Sequence, residues 1–255
     1  MPEWIVPWML AALAIWPLQR ATRWIHKHLQ GLGLLMTNDA QGAVLVYYVA
    51  LFPGVVLREI SQWIVARSLL VKVKKFRMWP EKQRRGAIRL GLVEIDDMTD
   101  TVRATLVGIV PVAIGIVAIS IIGVFLFNAE ALLQSLATGD MPQIMAGLDA
   151  FMSSPDFWLW IYVIFAIANA MLPEEHDHVN WWLLAGSLAA ITIFLLFLDL
   201  GVLVQAGLEG PFTQLARMTS LALILALLID WLVIGLIRLM EWGFGRFLNR
   251  EVEYR

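Results

Sequence analysis

Three residues inside one apolar run have the types and spacing for chemistry. In FPGVVLREISQWIVARSLL, residues 52–70, Arg58 and Gln62 stand four apart and Glu59 follows the first of them. Positions i and i+4 share a helix face, so Arg58 and Gln62 project together with the acid beside them. H-E-x-x-H has the same layout: two histidines hold zinc and the glutamate serves as general base. Here both histidine positions are changed and the glutamate is kept. A guanidinium stays protonated in essentially any protein site and repels a dication, and glutamine is a poor zinc ligand. The spacing is that of a metal site; the donors are not.

The elements that must position this cluster are membrane helices. The chain has 255 residues, 60% hydrophobic and 16% charged, with a mean hydropathy of +0.73. Soluble chains carry about 25% charged residues. No Lys or Arg occurs between Arg103 and Arg217, and several apolar runs reach the roughly 17–25 residues that cross a bilayer as a helix. The fold class is an all-α polytopic membrane protein of five to six transmembrane helices, with the lipid bilayer as its first partner. Cysteine is absent, which removes disulfides, thiolate zinc sites and cysteine nucleophiles. The net charge is −2 and the basic residues lie beside membrane segments, so no nucleic-acid partner is expected.

Five helical segments stand out, at about 41–70, 104–127, 157–172, 180–204 and 218–241. The first is roughly 45 Å long at about 1.5 Å per residue, so it tilts or projects beyond the hydrocarbon. Trp158, Trp160, Trp181, Trp182 and Trp242 fall at predicted helix ends, as in an aromatic belt, whereas Trp63 and Trp231 fall inside spans and are expected between helices. Gly108, Gly115 and Gly123 lie on roughly one face and suit close helix packing. The connection 71–103 carries nine Lys/Arg, which places it in the cytoplasm. Counting crossings onward puts the C-terminal tail, with Arg246, Arg250 and Arg255, on the same side. The expected location is a prokaryotic-type cytoplasmic membrane. Within 71–103, VKVKKFRMWP and AIRLGLVEI alternate like strands of a small β-hairpin.

Residues 4–18 form an apolar run of borderline length followed by Arg20, Arg23 and Lys27. A span there puts those residues outside, against the charge rule; an interfacial helix removes the conflict. This run has no basic residue before it and does not read as a secretory signal. The division that follows is 1–40 as a membrane-associated segment, 41–241 as the transmembrane domain and 242–255 as a cytoplasmic tail.

FPGVVLREISQWIVARSLLVKVKKFRMWP resembles the segment of site-2-protease-type intramembrane zinc metalloproteases that carries their H-E-x-x-H helix. LGLVEIDDMTDTVRATLVGIVPVAIG and FAIANAMLPEEHDHVNWW are also similar to that group, and the resemblance covers roughly residues 45–240. It implies a third zinc ligand, an aspartate, just after an Asn…Pro element; Asn169, Pro173 and Asp177 match that pattern. What it implies is the scaffold of a protease whose chemistry has been lost. Arg58, Glu59, Gln62 and Asp177 are then vestigial positions, no catalytic residue is expected, and zinc is predicted absent. Two placements are open for Arg58: the former metal position, paired with Asp177, or an extension along the helix to the membrane interface. Arg67, near the helix end, is expected to take the second course.

His176, Asp177 and His178 could hold a metal by themselves, against the plainer reading of a solvated acidic turn. Asp230 stands mid-span, where acids mark a pathway or a buried partner; it could pair with an arginine such as Arg58, or be protonated. Asp199 is expected near a boundary and solvated. Three functions are compatible with these residues: a non-catalytic protein that binds a partner transmembrane helix or serves as a complex subunit, an active protease with atypical ligands, or a small transporter or channel lined by Asp230 and Glu59.

Overall fold

A computed structural model describes residues 5–77, 81–82, 88–89, 92–96, 98–173 and 179–248. Helix α1 (Ile5–Thr37) and helix α2 (Ala40–Ser68) form an antiparallel pair joined at Asn38–Asp39. Asn38 takes the left-handed conformation, φ 52°, and Asp39 caps α2 by accepting from the Gly42 N–H at 2.9 Å. The turn is tight because Gly33 has no side chain: a Cβ there would stand 2.9 Å from Ala43 Cα.

Past α2 come strands β1 (Val73–Arg77), β2 (Glu81–Lys82), β3 (Ile88–Arg89) and β4 (Leu92–Ile95). β1 pairs antiparallel with β4, Phe76 opposite Val93, and β2 pairs antiparallel with β3. The strand pairing expected of 71–103 is present. Lys74 Nζ lies 3.3 Å from Asp96 Oδ1 and holds the Asp96 carboxyl below its ordinary value, helped by the Met98 N–H. A carboxyl lowered by folding stabilises the hairpin above its unfolded value, and that contribution is lost as pH falls through the folded value. Lys74→Met is expected to move the Asp96 midpoint upward in a carboxyl NMR titration. An unmoved midpoint would show that the contact is absent in solution.

Helix α3 (Thr101–Ile121) continues through a π-helical turn, Ile122–Leu126, into the short helices α4 (Ala129–Thr138) and α5 (Met141–Met152). Helix α6 (Phe157–Met171) leaves α5 at a bend of 90°. Phe127, Phe151 and Phe157 close that corner, with ring centroids 4.6–5.7 Å apart. Helix α7 (Trp181–Phe197), helix α8 (Gly201–Gly207), a second π-helical turn (Leu208–Phe212) and helix α9 (Thr213–Leu248) complete the order.

Among the described residues three helices are long and apolar enough to cross a membrane, in α2, α3 and α9, or four if the bent α5–α6 pair counts as one. This corrects the expected five to six. At about 1.5 Å per residue, the 15 residues of α6 and 17 of α7 reach only about 22–26 Å, short of a hydrocarbon core of about 30 Å. The expected segment 180–204 is cut where Asp199 turns left-handed, φ 58°, with its side chain exposed. The run 5–18 is the first half of α1, whose other half carries the charge.

The core gathers around α2, α6 and α9, with Leu51, Ile119, Ile164 and Ala226 inaccessible. Gly115 meets Met171 of α6 and Gly123 meets Leu225 of α9, so one glycine face of α3 serves two neighbours. Trp63 and Trp231 are not between helices: they are 36% and 68% exposed. Trp231 follows the inward-facing Asp230, and one residue's turn of the helix carries it outward. Trp63 lies near the C-terminal end of α2 between Phe76 and Arg67, and Arg67 is exposed there.

Candidate functional site: a polar seam across four helices

The site begins where α2 meets α6. These helices run parallel: the Tyr162 hydroxyl donates to the Val49 carbonyl at 2.5 Å, and one turn on, Gly54 abuts the Ala166 carbonyl and Ala170. Arg58 and Gln62 continue the Gly54 face at i+4 and i+8. Arg58, Glu59, Ser61 and Gln62 are all buried, at 7%, 4%, 3% and 5% exposure. Arg58 Nε lies 4.0 Å from Glu59 Oε1, and the Ser61 hydroxyl donates to the Arg58 carbonyl at 2.7 Å. The Arg58 side chain is packed within the protein.

The chain itself creates the next part. Asn169 stands four residues before Pro173. The helical partner of its carbonyl would be the N–H of residue 173, and proline has none. His26 of α1 fills the gap, with Nε2 3.1 Å from the Asn169 carbonyl. A carbonyl only accepts, so Nε2 carries the hydrogen, and in the neutral ring Nδ1 accepts from the Tyr47 hydroxyl at 3.0 Å. The Asn169 side chain donates from Nδ2 to Asp230 Oδ1 at 2.7 Å and to the Phe165 carbonyl at 3.0 Å. Asp230 is fully buried. Asn169 thus joins α1, α6 and α9 at one point.

Asp230 accepts from Asn169 and not from Arg58, the partner that seemed available. A second contact holds α1 on α9: His28 Nδ1 lies 2.9 Å from Glu241, and Trp24 stacks on the same imidazole at 3.8 Å with Arg238 over its ring. Sequence reasoning missed His26 and Tyr47 as members of the seam. The available signal was Pro173, which strips a buried carbonyl of its donor and calls for another.

Asp177, His176 and His178 lie outside the described residues, so the Arg58–Asp177 pairing and the His/Asp metal alternative do too. Among the described residues no three His, Asp or Glu side chains group to hold a metal ion. Among the described residues, the neighbour of Glu59 at the first ligand position is a guanidinium, which has five N–H donors and no lone pair for zinc.

A scan of family models, a search of curated proteins and a search of solved structures each found nothing that matches this chain.

Proposed function

We propose that this chain is a non-catalytic membrane protein on a scaffold like that of site-2-protease-type enzymes, binding a partner transmembrane helix or serving as a subunit of a larger membrane complex. The observation that carries the reading is Arg58, buried against Glu59 at the position where the resemblance calls for a zinc ligand. A site shaped to accept a helix can hold one without cutting it. Helix α7 supports the partner half of the reading, since none of its 17 residues is buried. The basic connection 71–103 and the C-terminal tail face the cytoplasm in this proposal, following the charge rule.

Metal analysis of protein purified without chelators tests the loss of chemistry. The expected result is no stoichiometric zinc. Zinc that is present and removed by Glu59→Gln or Asp177→Asn would overturn the non-catalytic reading in favour of a protease with atypical ligands. Mild extraction from native membranes, with a photo-crosslinking residue at Leu188 or Ile191 of α7, tests the partner. A discrete crosslinked adduct is expected; adducts to lipid alone, with the chain purifying by itself, would sink that half. Proton or ion flux in proteoliposomes that Asp230→Asn abolishes would favour a transporter.

A further inference from the structure

An acid deep in a membrane protein needs a cation, a full set of donors or a proton. Asp230 is fully buried, and among the described residues no Lys, Arg or His lies within ion-pair distance of it. On α1, His26 is turned to the Asn169 carbonyl and Tyr47, and His28 is held by Glu241. On α2, Arg58 and Glu59 face each other. The span of α3 after Arg103 has no ionisable side chain, and α6 has only Tyr162, whose hydroxyl is on Val49.

The donors are also incomplete. Asn169 Nδ2 gives one hydrogen to Asp230 Oδ1 and the other to Phe165. Both contacts are to acceptors, which identifies that atom as the amide nitrogen. Two oxygens are left, Asp230 Oδ2 and Asn169 Oδ1. Each is buried, and neither has a hydrogen-bond partner among the described residues.

We propose that Asp230 and Asn169 form a proton-binding site, in which a proton on Asp230 Oδ2 is donated to Asn169 Oδ1 and closes a two-bond acid–amide ring between α6 and α9. One proton turns one orphan acceptor into a donor and satisfies both. A hard metal ion takes about six oxygens or more, and this pair has two to spare. The proton keeps α6 and α9 joined without leaving a charge in the membrane interior. Its loss would place a bare carboxylate beside an amide oxygen and favour separation of the two helices. The inference does not depend on the proposed function.

The test uses the full chain in detergent or liposomes. In infrared spectra at neutral pH, a protonated-carboxyl C=O band that shifts in D2O is expected in the wild type and missing in Asp230→Asn. Asparagine can rebuild the ring as an amide–amide pair, so Asp230→Asn is expected to melt within about 4 °C of wild type and Asp230→Leu further below it. Should Asp230→Leu fail to fold, the infrared band and the Asp230→Asn melting still decide. The proposal is overturned if no acid band is lost in Asp230→Asn, or if that variant melts well below wild type. It is equally overturned if sodium raises the melting temperature of wild type and not of Asp230→Asn, which would make this a cation site.

Discussion

Alanine at Gly54 is expected to cost a large part of this chain's stability. A Cβ there would overlap the carbonyl of Ala166 and lie 2.8 Å from the Ala170 methyl. The obstacle is backbone, so no rotamer change relieves it and α2 must back away from α6. Overpacking a tight core costs about 1–3 kcal/mol and sometimes more, and a helix displacement belongs at the upper end. The separation would also pull Val49 from the Tyr162 hydroxyl. Thermal melting of the solubilised protein should show a drop of about 6–12 °C, taking about 3 kcal/mol at 2–4 °C each. Gly186→Ala in α7 is the control: nothing lies within 4 Å of a Cβ there, and the exchange favours helix by about 1 kcal/mol. Equal melting of Gly54→Ala and wild type would mean that the two helices do not meet as described.

Arg58→Ala is the second large effect. It removes the cation beside a buried carboxylate, and breaking a buried pair from one side costs about 3–5 kcal/mol. Replacing both partners by uncharged residues of similar volume is often neutral. Arg58→Met with Glu59→Gln together should therefore melt above Arg58→Ala. A double-mutant cycle of Arg58→Met and Glu59→Gln should give a coupling of at least about 1 kcal/mol. Additive single losses, with no coupling, would show that Arg58 and Glu59 stabilise the chain separately. That result would remove the main physical support for reading Arg58 as the replacement of a metal.

Much of the helical frame was legible before the structure. Segment 41–70 differs from α2 by one or two residues at each end, because the apolar run is long and ends at a basic connection. Segment 157–172 comes within one residue of α6, because the apolar run opens at Phe157–Trp158 and stops before Pro173. Apolarity alone could not reveal where a run is cut, so 180–204 was read through the break at Asp199. Residues 128–156 hold two short helices, α4 and α5, that a search for membrane-length runs passes over.

The site was half legible. Helical spacing places Arg58, Glu59 and Gln62 on neighbouring faces, and their burial agrees with it. Asp230 was visible as an acid without a reason. Its partner could not be read, since which of several polar residues it meets depends on how α6 crosses α9. The Asn…Pro spacing could be matched as a pattern, yet its cause is a missing N–H and a histidine 143 residues away in the chain.

The pairing of α1 with α9 bears on how the chain is made. Helix α1 lies along α9, with His28 on Glu241 and Trp8 against Phe212 just before α9 begins. Contacts so distant in sequence are slow to close, and an incomplete chain exposes the surfaces that they will cover. Throughout synthesis of the intervening residues, the α1 face that carries Trp24 and His28 waits without its mate. That face is covered only once α9 has been made, and the same helix brings Asp230 to Asn169.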